Sequence, residues 1–266
     1  VCINKMDLVD FSEERFCEIE RDYREMSAKI GNDAQLHFLP ISAKYGDNVV
    51  NASERAPWYS GPTLMALLEE VPISHKLGGE LQPMRLPVQY VIRPISDKFP
   101  DYRAYAGRLA GGVLHVGDAV RVLPSGMTSR VKAIMQADKS QEVAHTPESI
   151  SVLLEDDIDI SRGDMLVGVD DTSPIVGQEF KIMCCWFNAQ PMQLRKRYVV
   201  RSAVAESVGM VAALDYRVDI HTLEPVTGES TLNMNDIACL TLRTSNPMVF
   251  DRYEDNRTTG SLVLID

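Results

Sequence analysis

Hydrophobic and polar positions follow two different patterns along the chain, and the change lies near Met84. Before that residue, apolar positions recur at the three- and four-residue steps of helices, between short apolar runs that are typical of buried strands. After it, apolar and polar residues alternate in short segments separated by turn residues, as in antiparallel sheets. The pattern therefore predicts an α/β region followed by an all-β region.

The α/β region contains two predicted helices. The first begins after Asp10 or Ser12, both candidate N-caps, and ends at Gly31. Its expected buried face consists of residues at alternating steps of three and four: Phe16, Ile19, Tyr23, Met26 and Ile30. The second helix starts near Pro62, and its expected buried face is Leu64, Leu67, Leu68 and Val71. Trp58 and Tyr59 are expected to pack against that helix; the alternative is a ligand platform.

After a linker at Pro72 and Gly78-Gly79, short strands are predicted on both sides of a second linker at 170–174. The strands before it are 87–92, 103–109, 119–123, 129–133 and 149–154, and Gly163-Asp164 precedes a further apolar strand. The strands after it are 179–187, 197–202, 208–218, 237–243 and 261–265. We expect an α/β domain at 1–76 and two β-barrels, at 84–170 and 175–266, with almost no helix longer than two turns in the barrels.

Candidate chemistry begins where the first apolar run ends, at Asn4-Lys5-Met6-Asp7. A buried strand that ends there delivers these side chains to the carboxyl edge of a sheet, where α/β folds bind ligands. One carboxylate can accept from the neighbouring ring N–H and amine of guanine, so Asp7 fits guanine. Asn4 can bond its own loop or the base, and the Lys5 stem can lie over the ring. The alternative is an ordinary strand-to-loop junction.

A second apolar run, 36–41, ends in Ser42-Ala43-Lys44. In guanine-nucleotide folds this sequence follows a neighbouring strand and supplies a backbone N–H to the guanine oxygen. Strand, helix and strand would place both loops at one sheet edge, as a base-reading half-site. No G-x-x-x-x-G-K-[ST] phosphate loop accompanies them, and no Asp-x-x-Gly precedes Asn4. We therefore expect a fragment that lacks the phosphate- and magnesium-binding half.

Composition narrows the classes of partner. The net charge of −11 argues against a broad nucleic-acid-binding face, and no apolar run reaches the 18 residues of a membrane span. Five scattered cysteines are expected to be buried free thiols in a reducing cytoplasm, with Cys184 and Cys185 on opposite faces of a strand. The acidic run at 155–157 is read as a solvated turn rather than a metal site, and the basic cluster at 195–197 as a polar loop rather than a phosphate contact.

Several longer segments carry a family resemblance: VCINKMDLVDFSEERF, ISAKYGDNVV, WYSGPTL, LPVQYVIRP, YAGRLAGGVLHVGDAVRVLPSG, LEDDIDISRGDML, YRVDIHTL and DRYEDNRTTGSLVLID. Together they resemble the GTPase subunits of bacterial ATP sulfurylase (sulfate adenylyltransferase subunit 1), within the elongation-factor-Tu-like translational GTPases. WYSGPTL is shared with some elongation factors, whereas PVQYVIRP, 105–126 and DRYEDNRTTG are more specific to the sulfurylase branch.

This resemblance implies the remnant of a P-loop GTPase domain followed by elongation-factor-like barrel domains 2 and 3. It implies a GTP-binding regulatory subunit that couples GTP hydrolysis to formation of adenosine 5′-phosphosulfate from ATP and sulfate. The partner would be the catalytic small subunit, in a cytoplasmic heteromer, with Mg²⁺ held by residues upstream of this chain. The functional positions that carry over are Asn4, Lys5, Asp7, Ser42, Ala43 and Lys44; no catalytic or metal residue does, and the fragment alone would be inactive. The alternatives are a translation factor that binds aminoacyl-tRNA and a non-catalytic β-barrel docking module.

Overall fold

The computed structural model describes residues 1–31, 34–71, 79, 81–94, 102–137, 139–203 and 205–266. The chain forms two compact units, Val1–Ser74 and His75–Asp266. In the described ranges, none of the helices combines the length and the apolar character required to cross a bilayer.

The first unit is built on a pair of short parallel strands, β1 (Cys2–Ile3) and β2 (Leu39–Pro40), with Cys2 opposite Leu39. A 3₁₀ helix (Met6–Val9) follows β1, α1 (Glu13–Lys29) connects the two strands, and α2 (Leu64–Glu70) comes last. The core of this unit consists of Ile3, Met6, Phe11, Phe16, Phe38 and Ala56.

Helix α1 begins with Ser12 as its N-cap, because the hydroxyl of Ser12 accepts a hydrogen bond from the backbone N–H of Arg15 at 3.3 Å. Asp10 instead follows the 3₁₀ helix in a left-handed conformation. Part of the expected buried face is wrong: Met26 and Ile30 are 40% and 56% exposed. The buried stripe continues from Tyr23 to Ser27, four residues on, and so turns away from Met26.

The expected buried face of α2 is also wrong in part, since Leu68 and Val71 are 62% and 45% exposed and no residue of the helix is buried. Seven residues make only two turns, so one narrow stripe, with Leu64 and Leu67, is half-buried. Trp58 and Tyr59 pack in the core of the unit, but their ring contacts are with Phe16 of α1 and not, as predicted, with the second helix. The rings of Trp58 and Phe16 lie 5.1 Å apart, and the indole N–H of Trp58 donates to the carbonyl of Phe11 at 2.8 Å.

The second unit begins with sheet I, in which strands such as 119–123 and 149–154 alternate buried residues with half-buried or exposed ones. Its strands are β3 (Arg85–Pro87), β4 (Tyr90–Ile92), β5 (Ala104–Arg108), β6 (Val113–His115), β7 (Ala119–Leu123), β8 (Thr128–Gln136), β9 (Lys139–Gln141), β10 (Val143–His145), β11 (Ser149–Leu154) and β12 (Met165–Gly168). The strand order is β3-β12-β7-β8-β11-β5-β4, β9 pairs with β8, and β6 with β10 forms a separate ladder. Apolar residues from these strands form one core that includes Leu86, Tyr105 and Val152.

Sheet I closes on itself at β3. Arg85 lies opposite Val167 of β12 on one side. On its other side, its N–H donates to the carbonyl of Gly111 at 3.1 Å and its carbonyl accepts from Ala110 at 2.7 Å. These bonds link β3 to the segment that follows β5. That 84–170 forms a separate β-barrel stays a prediction.

Sheet II contains the remaining strands: β13 (Ile175–Cys185), β14 (Met192–Gln193), β15 (Arg197–Ser202), β16 (Glu206–Val218), β17 (Pro225–Val226), β18 (Thr231–Leu232), β19 (Ile237–Phe250) and β20 (Leu262–Ile265). The order is β13-β19-β16-β15-β20, β17 pairs with β16, and β14 pairs with β18. Trp186, Met192, Leu240 and Leu242 are among its core residues.

The described strands of sheet II pair in a linear order, and a second closed barrel at 175–266 stays a prediction. Each pairing in the order is antiparallel, so the edge strands β13 and β20 point the same way. The two edge strands of sheet II are not hydrogen-bonded to each other in the described residues, and a cavity of about 1110 Å³ lies along them.

Strand positions mostly follow the prediction, with two kinds of departure. The predicted strand 87–92 is divided into β3 and β4, and β8 and β19 run longer than expected, to Gln136 and Phe250. Short strands such as β14, β17 and β18 carry too few residues to show alternation. The described part of 84–266 contains no helix, and 171–173 has no regular secondary structure. Pro72 and Gly78 of the predicted first linker lie outside the described residues.

Gly107 provides a direct test of the closed sheet I. A Cβ atom at this position would lie 2.1 Å from the carbonyl oxygen of Pro87, which is backbone and cannot move aside cheaply. We predict that Gly107→Ala lowers the free energy of unfolding by about 3 kcal/mol. Urea denaturation measures this change. Gly168→Ala is the matched control, because its Cβ would meet nothing closer than 4.0 Å; equal stability of the two variants would contradict the closure.

Candidate functional site

The parallel pairing of β1 and β2 brings the two polar loops to one edge of the first unit. The N–H of Leu39 donates to Val1 at 3.0 Å, the N–H of Ile41 donates to Ile3 at 2.9 Å, and the N–H of Met6 donates to Ile41 at 3.2 Å. These bonds alternate between the strands and continue into the loops. The residues after Ile3 and after Ile41 therefore lie side by side.

Asn4 ties the two loops together with a single oxygen. Its Oδ1 accepts from the backbone N–H of Lys5 at 2.7 Å and from that of Ala43 at 3.0 Å. The first bond holds the turn in which Lys5 adopts a left-handed conformation with φ 64°. The second fixes the position of the Ala43 loop relative to β1, so Asn4 serves the loops themselves.

Asp7 is joined to the second loop by Ser42. The hydroxyl of Ser42, which is fully buried, donates to Oδ1 of Asp7 at 2.6 Å. The side chain of Asp7 is half-buried and lies in the 3₁₀ helix after β1. An ionised carboxylate has about four acceptor positions, so this bond orients Asp7 and leaves acceptor capacity for a ligand.

The remaining predicted residues face solvent. Lys5, Ala43 and Lys44 are exposed, and the ammonium of Lys44 lies 4.8 Å from the centroid of the Tyr45 ring. The structure thus connects Asn4, Asp7, Ser42 and Ala43 by hydrogen bonds, whereas Lys44 is directed onto its neighbour.

A supporting layer beneath the second loop was missed by the sequence reasoning. Asn48 is 2% exposed; its amide donates to Pro40 at 2.8 Å and its Oδ1 accepts from the N–H of Ser53 at 2.8 Å. The carboxylate of Asp47 accepts from the Ser53 hydroxyl at 2.6 Å. The available signal was the turn-forming sequence Gly46-Asp47-Asn48, because an Asn in a turn readily adopts the left-handed conformation that Asn48 has here, with φ 56°.

The other polar clusters have local partners. In the acidic run, Asp156 accepts a hydrogen bond from the Ser129 hydroxyl at 2.8 Å, and Asp157 forms a salt bridge with Arg103 at 2.7 Å. In the basic cluster, the ammonium of Lys196 donates to Asp266 at 2.7 Å. Across the described ranges, no group of three or more His, Cys, Asp or Glu residues is arranged to hold a metal ion.

The cysteines are all free, but the expectation that they are buried is wrong for three of them: Cys2, Cys17 and Cys185. Strand alternation explains one case, since Cys184 turns towards the core of sheet II and Cys185 away from it. Burial, and next the nearby Cys185, raises the pKa of the Cys184 thiol to about 11, so it stays protonated at neutral pH.

A family model and two solved structures show which known proteins this chain resembles in fold. The family described as GTP-eEF1A C-terminal domain-like matches residues 179–266, within sheet II. Sup35 complexed with GDP aligns over 100% of this chain and 65% of its own, with a TM-score of 0.64 at 21% identity. The GTPase-like domain of S. cerevisiae Ski7 bound to GTP aligns over 100% of this chain and 61% of its own, with a TM-score of 0.52 at 15% identity. At such identities the likeness concerns the fold alone, which in the described residues is mainly β.

One relative of known name is sulfate adenylyltransferase subunit 1 of Teredinibacter turnerae. It is 42% identical over 266 residues, which are 100% of this chain and 55% of the relative. The resemblance found in the sequence is thereby confirmed over the whole chain, and the chain spans about half the length of the relative.

The role of Asn4 can be tested by removing its oxygen. Asn4→Ala leaves the N–H groups of Lys5 and Ala43 without their acceptor, and one lost neutral bond weakens local stability by about 1 kcal/mol. We predict faster hydrogen exchange at the Ala43 amide, by about fivefold, measured by NMR. Asn4→Asp keeps an oxygen at Oδ1 and should restore slow exchange. Unchanged exchange in Asn4→Ala would show that Asn4 does not hold the loop.

Proposed function

We propose that this chain is the base-reading and β-rich part of the GTP-binding subunit of a sulfate adenylyltransferase. The observation that carries the proposal is the pair of bonds from Ser42 to Asp7 and from Ala43 to Asn4, which hold a carboxylate and a loop at one edge. The 42% identity to a sulfate adenylyltransferase subunit 1 gives the site its context.

Asp7 is the residue proposed to select guanine. Its free acceptor positions would take the ring N–H and the exocyclic amine of guanine, two donors that adenine does not present side by side. The Ser42 bond supports this role, because it fixes the carboxylate before the base arrives. The exposed stem of Lys5 is proposed to lie over one face of the ring.

The second loop is proposed to bind the guanine oxygen, with one qualification that the geometry imposes. The N–H of Ala43 already donates to Asn4 at 3.0 Å. A guanine oxygen can use this donor only by sharing it with Asn4 or by replacing that bond. Ala43 and Lys44 are both exposed, so the base can approach the loop closely.

The described residues of this chain offer no binding site that fits the phosphates of GTP or Mg²⁺. The sequence has no G-x-x-x-x-G-K-[ST] loop, and the described residues show no metal-binding acidic cluster. The residues that bind the phosphates and Mg²⁺ are therefore proposed to belong to another part of the whole protein.

In the whole protein, we propose that GTP hydrolysis is coupled to adenylyl transfer from ATP to sulfate on a separate catalytic subunit. The proposed assembly is a cytoplasmic heteromer, in agreement with five free cysteines and a relative named as subunit 1. The proposed domains are 1–76, a GTPase-domain remnant, and 84–170 and 175–266, corresponding to elongation-factor domains 2 and 3. GTP- and sulfate-dependent pyrophosphate release by the full-length protein with its partner tests this function, and its absence would contradict it.

A translation factor is the alternative to exclude, because the fold is shared with translational GTPases. A chain of net charge −11 is poorly suited to hold tRNA. Filter binding with aminoacyl-tRNA at low salt distinguishes the two: retention of tRNA in place of sulfate-dependent activity would favour the translation factor.

Replacement of Asp7 tests the guanine assignment in the full-length protein. Asp7→Asn turns one acceptor into a donor that faces the guanine amine, and each lost charged bond costs about 1.5–3 kcal/mol. We predict at least a tenfold loss of GTP affinity, with xanthosine triphosphate bound better than GTP, by calorimetric titration. Asp10→Asn is the control, since Asp10 is exposed and Asn tolerates its left-handed conformation. Unchanged GTP affinity in Asp7→Asn would refute the assignment.

The 266-residue chain alone should bind guanine nucleotides weakly, with an affinity that does not depend on the number of phosphates. One carboxylate, one amide and a lysine stem provide about 4–5 kcal/mol, which corresponds to a dissociation constant near 1 mM. We therefore predict similar affinities for GTP and GMP and no hydrolysis of GTP by this chain. Micromolar binding with a preference for GTP, measured by calorimetry, would reveal a phosphate site in these residues.

A further inference from the structure

A buried arginine joins sheet I to sheet II. Arg85 lies in β3 and its side chain is only 2% exposed. Its Nε and Nη2 donate to the two oxygens of Asp251, at 2.9 and 2.8 Å, in a two-pronged contact. Asp251 comes directly after β19, so this contact spans 166 residues of sequence.

The other donors of Arg85 hold the connection between the sheets. Nη2 donates to the hydroxyl of Ser173 at 2.6 Å, and Nη1 donates to the carboxylate of Asp171 and, at 2.9 Å, to the carbonyl of Met84. Asp171 also accepts from the backbone N–H of Ser173 at 2.9 Å. One guanidinium therefore fastens the end of sheet I, the connector and the end of β19.

Further bonds surround this centre. The hydroxyl of Thr259 donates to Asp251 at 2.5 Å, and the amide of Asn256 donates to Ala110 at 2.9 Å. A small apolar cluster lies at the same junction: Met165 and Val167 of sheet I with Val249 of sheet II. The junction thus combines an apolar contact with a charged network.

The apolar cluster and the charged network are expected to contribute differently to the stability and to the relative orientation of the two sheets. Burial of Met165, Val167 and Val249 is favourable in many relative orientations, because the hydrophobic effect is not directional. The charged network gains little net free energy, since desolvation offsets attraction, but its two-pronged geometry is narrow. Burial alone would raise the pKa of the Asp171 carboxyl. The hydrogen bonds from Ser173 and Arg85 have the larger combined effect, so the pKa of Asp171 is lowered.

We propose that Arg85 is a positioning residue that fixes the mutual orientation of sheet I and sheet II, rather than a net source of their stability. The two sheets then behave as one body because the donors of Arg85 meet acceptors from both sheets and the connector in one arrangement only. This inference is independent of the nucleotide proposal.

The test measures orientation and stability separately in the 266-residue chain. Bioorthogonal spin labels at the exposed Lys139 of sheet I and Glu224 of sheet II report the distance distribution by pulsed EPR. We compare Arg85→Lys and the triple variant Arg85→Met, Asp171→Leu, Asp251→Leu, which leaves no unpaired charge. Arg243→Met is the control, because its pair with Glu179 is exposed and lies within sheet II.

The wild-type chain and Arg243→Met should give one narrow distribution. The triple variant, made with Thr259→Val so that no buried hydroxyl loses its acceptor, should remain folded, with stability equal to or above that of wild type, and yet give a distribution at least about twofold broader. Arg85→Lys keeps the positive charge but cannot make the two-pronged contact with Asp251, so it should also broaden the distance distribution. A narrow distribution in both Arg85 variants would overturn the proposal, and so would a triple variant that loses stability while its orientation stays fixed.

Discussion

The pairing of two very short parallel strands is the constraint on which the candidate site depends. β1 and β2 contribute only two residues each, so their own hydrogen bonds provide little stability. They are held by the apolar residues around them: Phe16 of α1 with Phe11, Phe38 and Met6. The core of the unit therefore sets the register that places Asn4 beside Ala43 and Asp7 beside Ser42.

The site is consequently organised before any ligand binds. Ser42 orients Asp7, and Asn4 holds Ala43. The side-chain amide of Asn48 donates to the carbonyl of Pro40 in β2 and so holds this strand in place. A preorganised carboxylate binds a pair of donors without a further ordering cost. In the second loop, the N–H of Ala43 that is proposed to meet the base already donates to Asn4.

Local patterns predicted the elements well because they depend on neighbours in sequence. Alternation located β7, β11 and β15, and the cap at Ser12 located the start of α1. Burial was predicted less well: Met26, Ile30 and Leu68 are apolar by pattern but exposed, because periodicity does not show what packs against a face. The Asn4 and Asp7 loop could be predicted from a short motif. Arg85 could not, since a single arginine in a strand gives no sign of a partner 166 residues away.

The edge formed by Asn4, Asp7, Ser42 and Ala43 is proposed to bind guanine. NMR titration of the ¹⁵N-labelled chain with GMP and, separately, AMP tests this claim most directly, because backbone amides report the location of the base. GMP should shift the amide signals of Ala43 and Lys5, whose shared acceptor is Asn4, while AMP at the same concentration leaves them unchanged. Equal shifts with both nucleotides, or GMP-dependent shifts confined to sheets I and II, would contradict the claim.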